Sequence, residues 1–248
     1  MRGLIRILLG PVLLWQGARV RRDILRLPEP DGARNGGTEG LRVLILGDSS
    51  GAGVGVQTQD QALSGRLAAA LAPIPIRWRV LATTGWTTAD ALSALPELAN
   101  EQFDAAILCL GVNDITTETG LAQWLRDYSD VLARLTENHG IKRAYLCGLP
   151  PMGRFPALPQ PLRWYLGQQA IAHDTAMGRL AAERPGAVHL ALDFSDMDES
   201  AAAEDGFHPG PPIYARWAEE LDQVLKQMLR QPQGIAPAPS SMSQAARR

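Results

Sequence analysis

Five short runs dense in aliphatic residues alternate along the chain with longer stretches of helical character. The runs are LRVLILG (41–47), IRWRVLAT (76–83), FDAAILCLG (103–111), IKRAYLCGL (141–149) and AVHLALDF (187–194). Between and after them stand DQALSGRLAAALA (60–72), TADALSALPELA (88–99), LAQWLRDYSDVLARLTEN (121–138), LRWYLGQQAIAHDTAMGRLAAE (162–183) and YARWAEELDQVLKQML (214–229). In the third of these, Leu121, Trp124, Leu125, Tyr128, Leu132 and Leu135 mark one helical stripe. A strand that is apolar at nearly every position has no face to offer water. The pattern therefore predicts an α/β fold with a parallel sheet covered by helices on both faces. Crossovers are then right-handed, and the working site lies past the carboxyl ends of the strands. Residues that carry chemistry should follow the strands directly.

The 248 residues are 46% hydrophobic, enough for one sizeable core. A net charge of −2 gives no global field that would draw nucleic acid. Four histidines and two cysteines leave little material for a metal site. Cys109 and Cys147 each sit inside an apolar run and read as small buried hydrophobes, not as a disulfide framework. The apolar run ILLGPVLLW (7–15) is far short of the ~20 residues that span a bilayer. Arg2, Arg6, Arg19, Arg21, Arg22 and Arg26 flank it, with no small-x-small cleavage site nearby. Residues 1–26 thus read as a peripheral segment lying on an anionic membrane face. A signal sequence and plain packing on the domain are the alternatives. The expected location is cytoplasmic with membrane association, export being the rival reading. Residues 29–40 (EPDGARNGGTEG) read as the linker that completes a 1–40 N-terminal segment, 41–231 as the domain and 232–248 as a disordered tail. Oligomeric state is left open.

The stretch VLILGDSSGAGVGV (43–56) turns from the first strand into a glycine-rich corner. A dinucleotide fingerprint G-x-G-x-x-G fails in both registers, because Val56 or Thr58 stands where the last glycine belongs. A phosphate loop would need a lysine that the stretch lacks. Two readings remain: a nucleophilic serine at the strand end, or a turn whose serines cap the next helix. A serine hydroxyl needs a base within hydrogen-bond reach. His139 ends a predicted helix, His173 lies inside one and His189 lies inside a strand, so all three read as structural. His208, in AEDGFHPGPP, sits in an irregular stretch before the last helix with Asp205 three residues upstream. That carboxylate can orient one ring nitrogen while the other faces a serine. Acyl transfer also needs donors for the developing oxyanion, each worth about 3–4 kcal/mol. Gly85, after the second strand, can present an unobstructed N–H, and Asn113, after the third, can turn its amide into the same cleft.

GDSS (47–50), Gly85, GVND (111–114) and DGFH (205–208) together resemble the four sequence blocks of the SGNH hydrolases, also called the GDSL esterase/lipase family. Their order and spacing match over about residues 41–230. The resemblance implies a flavodoxin-like three-layer α/β/α fold whose five-stranded parallel sheet runs 2-1-3-4-5. It also implies Ser49 as nucleophile, His208 as base and Asp205 as its orienter. The oxyanion hole would combine the Ser49 N–H, the Gly85 N–H and the Asn113 side chain, with neither metal nor cofactor. Two departures are visible: Ser50 replaces leucine in the first block, and Thr83 and Thr84 stand where the family often carries asparagine before the glycine. The implied activity is hydrolysis of carboxylic esters of short to medium acyl chains, with a small molecule or lipid ester as substrate. Carbohydrate O-deacetylation and lysophospholipid or thioester cleavage are the enzymatic alternatives, and a non-catalytic binding module is the alternative from another class. The proline-rich loop 148–167 reads either as the wall of an acyl pocket or as packing, with Trp164 and Tyr165 assigned to packing.

Overall fold

The protein is described from a computed structural model covering residues 2–192 and 199–230. The tail 232–248 lies outside the described residues. Five parallel strands form the sheet: β2 (Leu41–Gly47), β3 (Ile76–Ala82), β4 (Ala105–Cys109), β5 (Arg143–Cys147) and β6 (Ala187–Leu190). Their spatial order is β3-β2-β4-β5-β6, the expected 2-1-3-4-5. An additional two-residue strand, β1 (Asn35–Gly36), pairs antiparallel with β3 at the sheet edge.

The continuous apolar runs resolve into two interleaved sets, because successive side chains of a strand point to opposite faces. Val43 and Ile45 of β2 join one core with Leu67, Leu71, Tyr214 and Leu221. Leu44 and Leu46 join the other with Leu98, Trp124, Tyr128 and Leu135. The first core is closed by α2 (Ser49–Ala52), α3 (Leu63–Leu71) and α8 (Pro211–Arg230). The second is closed by α4 (Thr88–Ala94), α6 (Leu121–His139) and α7 (Leu162–Ala182). The helical stretch expected over 88–99 is split, since it tightens into a 3-10 turn over Leu95–Leu98 that carries Pro96 near its start. Proline cannot donate the amide bond that a continuing α-helix requires. A five-residue helix, α5 (Val112–Thr116), follows β4.

The N-terminal residues are integrated into the fold more closely than the sequence suggests. Helix α1 (Arg2–Asp23) docks on a third apolar cluster through Leu9, Leu13 and Val20, against Leu158, Leu162, Tyr165 and Leu166. Gln16, in the middle of that face, donates to the Gln160 carbonyl at 2.7 Å and accepts the Leu162 N–H at 3.1 Å. Leu14 and Trp15 on the other side are 64% and 61% exposed. Residues 29–36, within the expected 29–40 linker, bond to the rest of the domain. Asp31 exchanges backbone bonds with Gln57 and Gln59, and Val80 N–H donates to the Arg34 carbonyl at 2.7 Å. These contacts are made by backbone, which is why the residue pattern gave no hint of them.

Candidate active site

Strand β2 delivers the chain to Ser49. At Gly47 an added Cβ would lie 2.9 Å from the Cys109 carbonyl oxygen, so only glycine lets the strand end pass this close to β4. Asp48 then caps α2, its Oδ1 accepting the Ser50 N–H at 2.9 Å and the Ser50 hydroxyl at 2.7 Å. Ser49 is the first residue of the helix, where a backbone N–H has no partner within the helix and points outward. From α8, the Tyr214 hydroxyl donates to the carbonyls of Val54, at 2.8 Å, and Ser50, at 3.2 Å, and so pins the short helix from below.

The loop before α8 supplies the partners. His208 Nε2 lies 3.0 Å from Ser49 Oγ, and His208 Nδ1 lies 2.5 Å from Asp205 Oδ2. The other Asp205 oxygen accepts the N–H groups of Phe207 and His208, both at 3.0 Å, which locks the carboxylate against the loop that bears the ring. Burial by itself would raise the Asp205 carboxyl; bonds from the His208 ring and from the two backbone N–H groups outweigh it and hold the group below the usual carboxylate range. The two loops meet at Gly55, where φ is +106° and a Cβ would fall 2.0 Å from the Pro209 oxygen. Any other residue there would push the histidine loop off the serine loop.

Gly85 follows β3 and Asn113 lies in the helix after β4. Residues Thr83–Trp86 form a tight turn closed by a 3.2 Å bond from Trp86 N–H to the Thr83 carbonyl. Gly85 sits in it at φ +89°, with open space where a side chain would project. Asn113, in α5, donates to the Trp86 carbonyl at 3.0 Å and lies a long 3.5 Å from Asp48 Oδ2. Its amide thus bridges the turn carrying Gly85 and the residue preceding Ser49. Ser49, His208 and Asp205 are joined directly, whereas Asn113 reaches the residue before Ser49 and the residue after Gly85.

Sequence reasoning missed three supporting acids. Asp114 Oδ2 accepts the N–H and hydroxyl of Thr88, at 3.0 and 2.9 Å, and ties block three to the start of α4. Its place in GVND was a signal, and burial raises its carboxyl while the Thr88 bonds partly offset that. Asp48 is buried beside Ser49, and desolvation pushes it up to about 6 against the opposing bonds from Ser50. Glu29, from the supposed linker, contacts Thr84, and no periodicity could have pointed to it. The other histidines are structural as expected. His139 ends α6 beside Gly140, His173 lies in α7, and His189 of β6 pairs with Asp174 at 2.9 Å. Cys109 and Cys147 are buried free thiols. Among the described residues no group of three His, Cys, Asp or Glu side chains is placed to hold a metal ion.

A cleft of about 140 Å³ opens beside Ser49 and His208. Its wall is apolar, built from Pro150, Phe155, Phe207, Ile213 and Trp217 among others, and Arg154 also lines it. The loop 148–156 therefore does border the site. Tyr165 is buried as expected, but Trp164 is 43% exposed and does not pack in the core.

A parallel α/β sheet bearing a serine, an imidazole and a carboxylate in hydrogen-bonded series at its carboxyl rim defines the serine-hydrolase class of site. The chain belongs to the GDSL-like lipase/acylhydrolase family, whose sequence profile matches residues 45–216. It is 28% identical over 206 residues to the GDSL-like esterase Rv1075c of Mycobacterium tuberculosis, an alignment covering 76% of this chain and 63% of that protein. The chain therefore spans under two thirds of that relative's length. In fold it is similar to TesA, with a TM-score of 0.59 at 23% identity over 75% of this chain and 99% of that one. It is likewise similar to a lipase/acylhydrolase from Enterococcus faecalis, with a TM-score of 0.58 at 20% identity over 76% of this chain and 96% of that one.

Proposed function

We propose that the protein hydrolyses carboxylic esters of short to medium acyl chains through an acyl-enzyme on Ser49. The observation that carries this reading is the series Ser49 Oγ, His208 Nε2, His208 Nδ1, Asp205 Oδ2, with separations of 3.0 and 2.5 Å. His208 takes the hydroxyl proton as Oγ attacks the ester carbonyl, and Asp205 stabilises the imidazolium that forms. The carbonyl oxygen, now an oxyanion, is held by the N–H groups of Ser49 and Gly85 and by the Asn113 amide. His208 returns the proton to the leaving alcohol. Water repeats the sequence to release the acid and restore Ser49. The apolar cleft supports an acyl chain over a sugar ring, and its 140 Å³ is small beside the ~300–1,000 Å³ of drug-sized ligand sites. The exposed Val12, Leu14 and Trp15 on α1, with Arg19, Arg21 and Arg22 at its end, support contact with an anionic lipid surface.

Replacing Ser49 by alanine tests the core of the reading. Hydrolysis of p-nitrophenyl acetate should fall on the order of 10⁴–10⁶-fold with the fold intact. A folded Ser49→Ala protein that still turned the ester over would refute the assignment. A panel of p-nitrophenyl esters of increasing length should peak at short to medium chains, and a maximum at long chains would overturn that part.

A further inference from the structure

Glu29 lies outside all four sequence blocks, yet it grips the turn that presents Gly85. Its Oε1 accepts the Thr84 N–H at 2.8 Å and the Thr84 hydroxyl at 2.8 Å. Its Oε2 pairs with the Arg34 guanidinium, whose other arm donates to the Ala82 carbonyl. The backbone of the same segment is fixed to β3, through Asn35 and Gly36 opposite Arg79 and Trp78. Residues 82 to 84 are thus held at both ends by residues 29 to 36.

The turn is held from its far side as well, where Asn113 takes the Trp86 carbonyl and Asp114 takes Thr88. Between these two anchors lies Gly85. With φ at +89° and open space where a Cβ would project, residue 85 has no side chain to steady the turn. The Gly85 N–H belongs to the peptide plane joining Thr84 to Gly85, which pivots on the Thr84 α-carbon, and Glu29 holds the N–H and the hydroxyl of Thr84 on the other side of that pivot.

We propose that Glu29 is a positioning residue for the oxyanion hole: by holding Thr84 it anchors the α-carbon on which the peptide plane bearing the Gly85 N–H pivots, and so narrows the range of that donor. The inference rests on the ester-hydrolase reading given above. A preorganised donor contributes because it needs no reorientation as charge develops, and one left free to swing loses that advantage without altering ground-state binding.

The test compares wild type, Glu29→Ala and Glu29→Gln in the full chain. Each is assayed with p-nitrophenyl acetate and with an alkylboronic acid, which adds to Ser49 Oγ as a tetrahedral adduct. Glu29→Ala should lower kcat by roughly 10- to 100-fold, less than the ~10²–10³ of a missing donor. KM should change little, and boronate inhibition should weaken by the same factor as kcat/KM. Glu29→Gln keeps an acceptor for Thr84 and should stay within about threefold of wild type. A Glu29→Ala protein that melts earlier but keeps wild-type kcat and boronate affinity would overturn the proposal, as would a glutamine variant as impaired as the alanine one. Should Glu29→Ala not fold, Thr84→Val, which removes only the hydroxyl bond, should lose about three- to tenfold in kcat at unchanged KM; no loss would overturn the proposal. Wild-type protein inert to both the ester and a fluorophosphonate would instead sink the hydrolase reading itself.

Discussion

Asp48 offers a quantitative test of how the site is built, because its carboxyl is buried next to Ser49. Desolvation raises it from 3.8 to about 6, the Ser50 bonds and the attraction of His208 recovering part of the cost. In the unfolded chain the same group titrates at its ordinary value. Below about pH 4 both states hold the proton, and the fold carries no charge penalty at this position. As pH rises through about 6, the folded protein must bury a carboxylate, so the stability this group contributes is lost over that window. The difference of about two pKa units, at about 1.4 kcal/mol each, comes to about 3 kcal/mol. Asp48→Asn keeps an oxygen to accept from Ser50 and removes the charge. At pH 7.5 it should therefore be more stable than wild type by on the order of 1–3 kcal/mol, a Tm higher by about 2–12 °C for a chain of this size. At pH 4 the two proteins should melt together. Thermal unfolding followed by near-UV circular dichroism from pH 4 to 8 reads both. A gap that does not change with pH, or an asparagine variant less stable at pH 7.5, would refute the argument.

Asn113→Ala removes an oxyanion donor together with the bond that steadies Trp86, and should lower kcat for p-nitrophenyl acetate by about 10²–10³-fold; a loss under about fivefold would remove Asn113 from the hole. The full chain should co-sediment with vesicles containing phosphatidylglycerol, less so as Trp15→Ala, and should be released as salt rises toward about 1 M, where the Debye length falls to about 3 Å. Equal recovery in the supernatant with and without vesicles would end the membrane proposal.

The parts of the molecule that were legible share a cause. A strand buried on both faces must be apolar throughout, so β2, β4 and β5 declare themselves without any partner being known. The candidate site was legible because an open sheet places its chemistry directly after its strands, and because Asp205 and His208 stand close enough for one short loop to join them. Asp48 was read only as a member of the glycine-rich corner. Its depth depends on how α2 lies over β3 and β4, which is a tertiary fact.

The N-terminal residues show where pattern reading stops. The docked face of α1 is a regular stripe, Leu9, Leu13, Gln16 and Val20, but the arginines around it fit a membrane face as well as packing on the domain. Gln16 interrupts an apolar stripe, and its partners account for it. Leu162 opens α7, where a helix leaves N–H groups unpaired, and Gln16 supplies the acceptor from another helix. Glu29 does the equivalent for Thr84. In both cases a side chain far away in sequence satisfies a backbone donor that local sequence leaves orphaned, and such pairings have no period and no motif. A chain begun at Leu41 would leave the Leu162 and Thr84 donors without these acceptors, one beside the loop that borders the cleft and the other beside Gly85. Residues 9–36 therefore complete the bonding of two segments at the rim of the candidate site.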